Sequence, residues 1–479
     1  LKKTYALCFV VSSLLLLATG NAQDLSSVPS SALPTPFSRA LQQAGIAPQS
    51  VGVYVQEVSG TGRVLAAANA GVPFNPASTM KLLTTDAALE LLGPTYRWKT
   101  QAYADGNQIG NTLQGNLIFK GNGDPKLVLE NFWLFLRQIR AKGIRDIRGD
   151  VLLDRSTFDQ NAYDPSDFDG DPLKPYNVGP DALLLNYKTL TFQFMPDQDK
   201  RQVSVVIDPP LSGFAVTAPR LGKGGCDDWQ GKLQASVDAD GASFTGTLPA
   251  SCGEKTWYVN PYKMSSTQYF GAVFRQMWAD LGGSFNGSVK NGVVPPSARL
   301  ITEWSSVTLP EVIRDINKYS NNVMARQVLL TIAADILKVP ATPERGARAI
   351  QSWLASKGID TSGLVIENGS GLSRNERISA KTMGRMMTAA FQSPTMPEFV
   401  SSMPLAGYDG TMRKRLKDQG VAGQAHVKTG TLNDVRAIAG YVLAASGKYY
   451  AVVCLINDPN AAKGQAAQDG LLQWVYENG

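Results

Sequence analysis

The chain has 479 residues, 43% of them apolar and 18% charged. That balance suits a globular protein of about three domains with a sizeable core and excludes a largely disordered, collagen-like, coiled-coil or disulfide-knot chain. The 46 basic and 40 acidic residues leave a formal charge of +6 with no clustering, and there is one histidine, which excludes a nucleic-acid footprint and a multi-histidine metal centre.

Lys2 and Lys3 precede an apolar run over 6–18, and Gly20-Asn21-Ala22 follows. This pattern predicts a secretory signal peptide over 1–22, cut after Ala22. The run is too short for a comfortable membrane span, so the expectation is a mature chain outside the cytoplasm with no transmembrane anchor. Cys226 and Cys252 lie 26 residues apart in a Gly-rich, strand-like stretch, which suits a disulfide in an oxidising compartment. Cys454 sits in the apolar run 450–456 and reads as a buried free thiol.

Residues 23–36 are rich in Ser and Pro. Apolar patterning then predicts a strand over 51–58 and a short one near 63–67. Asn75 as N-cap and Pro76 as first helical residue open a helix to about Leu92, where Gly93-Pro94 stops it. From about 98 to 300 the chain is rich in Gly, Asp and Thr, and alternating runs such as 202–207 read as short strands and turns. After 300 helices return. Thr308-Leu309-Pro310-Glu311 forms a capping box for a helix to about Tyr319; others cover about 323–337 and 343–356. Strands near 424–430, 435–444 and 448–456 and a helix near 460–476 finish the chain. The order implies an α+β domain interrupted by a β-rich insertion.

Three short motifs carry the chemistry. In Ser78-Thr79-Met80-Lys81, residues three apart share a helix face, so hydroxyl and amine can meet; a serine in the first turn also lies at the positive end of the helix dipole. In Lys428-Thr429-Gly430, strand alternation puts His426, Lys428 and Gly430 on one face, and Gly430 would let a substrate backbone come close. Ser320-Asn321-Asn322 falls at the junction of two helices.

Together, and in this order, the motifs resemble those of the penicillin-interacting serine enzymes. The spacing 428 − 320 = 108 is like that of class A β-lactamases, whereas 320 − 78 = 242 is far longer. A large insertion at that point is similar to the D-alanyl-D-alanine carboxypeptidase/endopeptidases of the penicillin-binding protein 4 type, the low-molecular-mass class C group. Gly121-Asn122-Gly123-Asp124-Pro125, Asp154-Arg155-Ser156-Thr157-Phe158, Pro175-Tyr176-Asn177-Val178-Gly179-Pro180, Asn368-Gly369-Ser370-Gly371-Leu372-Ser373-Arg374 and His426-Val427-Lys428-Thr429-Gly430 fit the same group.

The resemblance implies a transpeptidase-like domain, a five-stranded antiparallel sheet flanked by helices, over 23–97 and 301–479. The insertion would form two smaller domains, one over 98–187 and 261–300 and one nested at 188–260. Ser78 would be the nucleophile and Lys81 its base. Two ammonium groups about 4–6 Å apart repel by about 3–4 kcal/mol at an effective dielectric near 20, so Lys428 would hold Lys81 neutral, with partial burial adding to the effect. Ser320 would relay a proton to the leaving amine and Asn322 would hold the substrate amide or Lys81. Backbone N–H groups of Ser78 and Thr431 would form the oxyanion hole. Lys428 and Thr429 would receive the terminal carboxylate, with Gly430 leaving room for the substrate backbone, while Asp154 and Phe158 would hold the side chain of the stem peptide, Arg374 would help bind its carboxylate, and Asn433, where the family often has Gln, would contact the substrate. Substrates would be peptidoglycan stem peptides in the periplasm, with β-lactams as covalent inhibitors and no cofactor or metal. Three other readings compete: a Ser-His-Asp triad through His426, a β-lactamase deacylating through Glu344 or Glu367, and a non-catalytic β-lactam or muropeptide sensor.

Overall fold

The computed structural model describes residues 33–159 and 163–479; the signal peptide expected over 1–22 lies outside the described residues. Five strands, Val51–Glu57 (β1), Val64–Ala68 (β2), Ala425–Leu432 (β3), Val435–Leu443 (β4) and Tyr449–Asn457 (β5), form one antiparallel sheet in the order β3-β4-β5-β1-β2. β1 pairs with β5 along its whole length, from Val51 opposite Ile456 to Glu57 opposite Tyr450. The start and the end of the chain thus share the centre of the sheet.

Every residue of β1 is buried, because helices cover both faces. Val53, Val55, Val452 and Cys454 pack with Phe37 and Leu41 of the helix Thr35–Ala44 (α1) and with Leu471 and Val475 of the terminal helix. Tyr54, Val453 and Leu455 point the other way, toward Met80–Leu92 (α2), Leu309–Tyr319 (α3), Asn322–Leu337 (α4) and Ala380–Phe391 (α5). Ten consecutive residues of α2, Met80 to Leu89, are buried. Packed on every side, this stretch keeps no solvent face even at Lys81, Thr84, Thr85 and Asp86, and each enclosed leucine contributes about 1.5–3 kcal/mol as an upper estimate. The capping box at Thr308 and Glu311 forms as the sequence predicts.

The insertion carries more helix than its composition suggests. Its larger sheet pairs Lys99–Ile109 with Thr112–Lys120 and Arg299–Ser305, and helices Leu129–Ala141 and Ser266–Asp280 pack on it around Phe119, whose ring lies 5.4–5.9 Å from those of Phe132, Phe135, Phe270 and Phe274. To the mainly short strands and turns expected here the structure adds these two helices. Frequent Gly and Asp set the turns, yet the aromatic spacing of both segments still makes one apolar stripe each. A three-stranded sheet of Leu190–Asp197, Gln202–Asp208 and Lys255–Val259 packs with a second sheet built around Gly241–Pro249, with Phe192, Phe194 and Phe244 between them. Cys226 is joined to Cys252 and Cys454 is free and buried, where burial pushes its thiol up to about 12. Among the described residues, no helix is long and apolar enough to cross a membrane.

Buried polar groups on α4 fasten the insertion to the catalytic half. Gln327 donates to the carbonyls of Asp181 (2.8 Å) and Gly123 (3.2 Å) and accepts from the Asp181 N–H (2.9 Å). Arg326 donates to the Val178 carbonyl at 2.9 Å, and Asp181 is paired with buried Arg155 at 2.8 Å. The stretches 121–125 and 175–180 are therefore the docking loops. Replacing Gln327 by Leu strands a buried N–H and two carbonyls, so Gln327→Leu is expected to lower the unfolding free energy by about 1–3 kcal/mol, read from a denaturant titration.

Candidate active site

The Ser78 segment is built more tightly than a plain helix start. Asn75 does not cap α2; its Oδ1 accepts from the Ala77 N–H at 2.9 Å, a one-turn 3₁₀ helix spans Ala77–Thr79, and α2 begins at Met80. Ala77 holds a φ of 45°, a left-handed conformation that costs a residue with a Cβ about 1–3 kcal/mol. The strain is held in place from two sides. A Cβ on Gly430 of β3 would lie 2.7 Å from the Pro76 carbonyl and 3.0 Å from the Ser78 nitrogen, and one on Gly371 (φ 79°) would lie 1.9 Å from the Ala77 carbonyl. The close approach that Gly430 permits is thus to the serine's own backbone, where the sequence reading had placed the substrate.

Ser78 and Lys81 meet as their spacing implies: Lys81 Nζ is 3.0 Å from Ser78 Oγ. The amine also donates to Asn322 Oδ1 at 2.5 Å and to the Ser370 carbonyl. Both of those partners are pure acceptors, and a neutral amine has two N–H bonds. Satisfying them leaves its lone pair for the Ser78 hydroxyl, which alone of the three can donate. Lys81 is wholly buried, and its pKa is held well below the usual lysine value, first by that burial and second by the charge of Lys428; Glu376 opposes the shift and Arg326 adds to it. The expected order of causes is therefore reversed. Desolvation leads because α2, α4 and the loop at Ser370 close over the amine, and repulsion comes second.

Lys428 is equally buried. It donates to Ser320 Oγ at 2.9 Å and to the Thr429 carbonyl at 2.8 Å, and burial brings its pKa down to about 7. Repulsion between two amines acts on the one that titrates first. The charge of Lys428 counts among the causes that lower Lys81, whereas burial is the one cause at Lys428, which thus faces a neutral neighbour. Ser320 ends α3 in a left-handed conformation (φ 58°), and Asn321 caps α4 by accepting from the Met324 N–H at 3.0 Å. This helix-stop, helix-start joint aims Ser320 at Lys428 and Asn322 at Lys81.

The loop that delivers the Ser370 carbonyl was not singled out by its chemistry in the sequence. Asn368 Oδ1 accepts from the Ser370 N–H at 2.9 Å, an Asx turn. Buried Glu376 accepts from the N–H groups of Glu367, Asn368 and Gly369 at 3.1, 3.0 and 2.9 Å through one oxygen. An acidic residue just after a Gly-Ser-Gly turn is the available signal for it.

The open side of Ser78 is a cleft of about 630 Å³ lined by Asn322, Arg374, Thr431, Asn433 and Arg436, among others. Arg374 stacks over the Phe168 ring at 4.9 Å and lies 3.4 Å from Asp434. Thr429 donates to Thr411 Oγ1 at 2.7 Å. Two expected substrate contacts are absent from this lining. Asp154 is fully buried, its two oxygens taken by the N–H groups of Ser156 and Val294 at 3.0 Å each. Phe158 packs against Ala182, Leu330 and Ala341. Asp154 is held within the insertion and Phe158 closes its docking surface, because the chain turns inward after the strand Val151–Asp154. His426 is also away from the nucleophile: it makes no hydrogen bond to Ser78, and burial, with Lys318 beside it and Asp409 opposing, keeps its imidazole below the usual range. The described residues contain no group of His, Cys, Asp and Glu able to hold a metal.

The Gly371 contact can be tested directly. Gly371→Ala is expected to shift the Ala77–Ser78 segment by on the order of 1 Å and slow acylation by labelled penicillin about 10²-fold, with the thermal midpoint recorded alongside to show a folded protein.

The chain is similar to several known proteins. The D-alanyl-D-alanine carboxypeptidase of Actinomadura sp. (strain R39) is 27% identical over 83% of this chain and 76% of its own length. The D-alanyl-D-alanine carboxypeptidase DacB of Haemophilus influenzae is 25% identical over 80% of each chain. The crystal structure of penicillin binding protein 4 from Haemophilus influenzae superposes with a TM-score of 0.79 at 23% identity, covering 92% of this chain and 99% of that one, a likeness of fold. The model of the D-Ala-D-Ala carboxypeptidase 3 (S13) family matches residues 35–478, and the chain belongs to that family.

Proposed function

We propose that the protein is a serine-type D-Ala-D-Ala carboxypeptidase and D,D-endopeptidase that trims peptidoglycan stem peptides and opens cross-links through an acyl-enzyme. The carrying observation is the buried Lys81 amine, 3.0 Å from Ser78 Oγ with its other contacts on acceptors. Ser78 Oγ attacks the carbonyl of the penultimate D-alanine and its proton passes to Lys81. The developing oxyanion meets the N–H groups of Ser78 and Thr431. The C–N bond then breaks and the leaving amine takes a proton from Ser320, which is replenished by Lys428, a group that titrates near 7 and so can both hold and release one. Water hydrolyses the ester and restores Ser78. Lys428 and Thr429 receive the terminal carboxylate; Arg374 and Asn433 line the acyl side.

Several related proteins support this reading. A structure of the Haemophilus influenzae protein holds a β-lactam, and an endopeptidase of Bdellovibrio bacteriovorus, with a TM-score of 0.50, is acylated by penicillin G. The β-lactamase reading is less well supported, because Glu344 and Glu367 make no hydrogen bond to Ser78 or Lys81, and Glu367 is engaged by Ser373 and Asn375. A cell-wall substrate and the Cys226–Cys252 bond favour the periplasm, reached through a leader at 1–22. The domain division at 97/98, 187/188, 260/261 and 300/301 is proposed on the same resemblance.

Incubation with a D-Ala-D-Ala pentapeptide is expected to release D-alanine; fast antibiotic hydrolysis instead would identify a lactamase, and stoichiometric acylation alone a sensor. Ser78→Ala is expected to fold and show no penicillin adduct by intact mass, and an adduct on that variant refutes the nucleophile assignment. The pH profile has a defined sign. Activity rises as Lys81 loses its proton and becomes a base, and falls as Lys428 loses the charge that binds carboxylate, so kcat/KM is expected to be bell-shaped with its falling limb near pH 7. Lys428→Arg, charged throughout, keeps a cation for the carboxylate but releases no proton to Ser320, so it is expected to lower kcat and to leave what activity remains without the falling limb near pH 7.

A further inference from the structure

A second cleft, of about 590 Å³, adjoins the first at Tyr176 and Asn322, with Ser320 in its wall. Its volume lies within the about 300–1,000 Å³ of small-molecule sites. Five aromatic residues line it, Tyr176, Tyr187, Trp257, Tyr258 and Tyr319, although the Trp257 ring itself packs on Trp229 and Phe244. Tyr258 is 59% exposed and Tyr319 73%, unusual for rings that no partner covers. Tyr187 is set there by a backbone with positive φ at three successive residues, Asn186, Tyr187 and Lys188, a left-handed turn that L-residues seldom adopt.

The polar lining is neutral: Thr189, Gln230, Thr256 and Asn321, with Lys174 the one charge, and that lysine lies 3.6 Å from Asp171. A stem peptide, with its free carboxylates and amine, calls for ionised partners. Aromatic faces alternating with hydroxyl and amide groups suit a neutral, polyhydroxylated ring, whose C–H faces stack and whose hydroxyls take hydrogen bonds. The position is informative too. Tyr319 directly precedes Ser320, the group assigned to the leaving amine, whereas Arg374 and Asn433 lie in the other cleft.

We propose that this aromatic cleft binds the sugar backbone of the strand released on cross-link cleavage, N-acetylated amino sugars of the glycan chain. The placement on the leaving side rests on the hydrolase reading above; the saccharide chemistry rests on the cleft. Tyr258 lies on Lys255–Val259, the edge strand of its three-stranded sheet, so a peptide pairing along that edge is the rival occupant.

The test is calorimetric titration of the whole protein with an N-acetylglucosamine tetrasaccharide, which carries no charge, and separately with a sugar-free cross-linked peptide. The tetrasaccharide is expected to bind, and Tyr258→Ser and Tyr319→Ser each to weaken it about tenfold with melting temperatures recorded to confirm folding. The ratio of kcat/KM for a sugar-bearing over a sugar-free dimeric muropeptide is expected to exceed 1 and to fall in both variants. No binding of the tetrasaccharide, or equal binding by both variants and the parent, overturns the proposal, as does loss confined to the sugar-free peptide. The titration needs no turnover, so an inactive protein that still binds the sugar refutes the hydrolase and leaves the cleft assigned.

Discussion

The site depends on one amine kept out of water. A buried ammonium must be paired or give up its proton, and Lys81 is enclosed with two acceptors and one hydroxyl. Much of the surrounding architecture serves that enclosure. α2 is buried along most of its length, α4 supplies Asn322, and Glu376 ties down the loop that brings the Ser370 carbonyl. Gly371 and Gly430 let backbone close on both sides of Ser78. The chemistry follows from packing first and from charge second.

The two lysines also explain why the site should favour an anionic ligand. Both amines are sealed from solvent, and among the described residues no carboxylate hydrogen-bonds to either; Glu376, the carboxylate nearest in effect, spends one oxygen on three backbone N–H groups. A carboxylate arriving beside Lys428 supplies the missing countercharge and stabilises the ammonium there, which leaves Lys81 as the neutral member of the pair. Substrate binding and base activation are therefore linked through the same electrostatic field.

Much of this was legible from local pattern. The capping box at Thr308, the strands of the last third and the Ser78–Lys81 spacing are short-range features, and all appear where the residues put them. What was not legible depends on distant contacts. Ala77 adopts its left-handed turn because Gly371 and Gly430, hundreds of residues away, press on it. Asp154 reads as a substrate contact by resemblance, yet the neighbouring Val294 N–H takes one of its oxygens. The helix Ala380–Phe391 passed unnoticed because its apolar face is largely methionine and alanine with an internal glycine, a weak periodic signal. Helices of the insertion were hidden by the Gly and Asp of their flanking turns, although Ser265 and Gln268 form a capping box that was there to be found.

The pairing of β1 with β5 has a consequence for biosynthesis. The nucleophile is encoded early, but the sheet beneath it lacks its central partner until Asn457 has been made. The insertion has its own core of buried aromatics and can condense while the rest is still emerging, whereas the catalytic half must wait for a contact spanning nearly the whole polypeptide. Until Asn457 has been added, the growing chain thus presents no completed sheet beneath Ser78, and whatever chemistry the site performs is withheld.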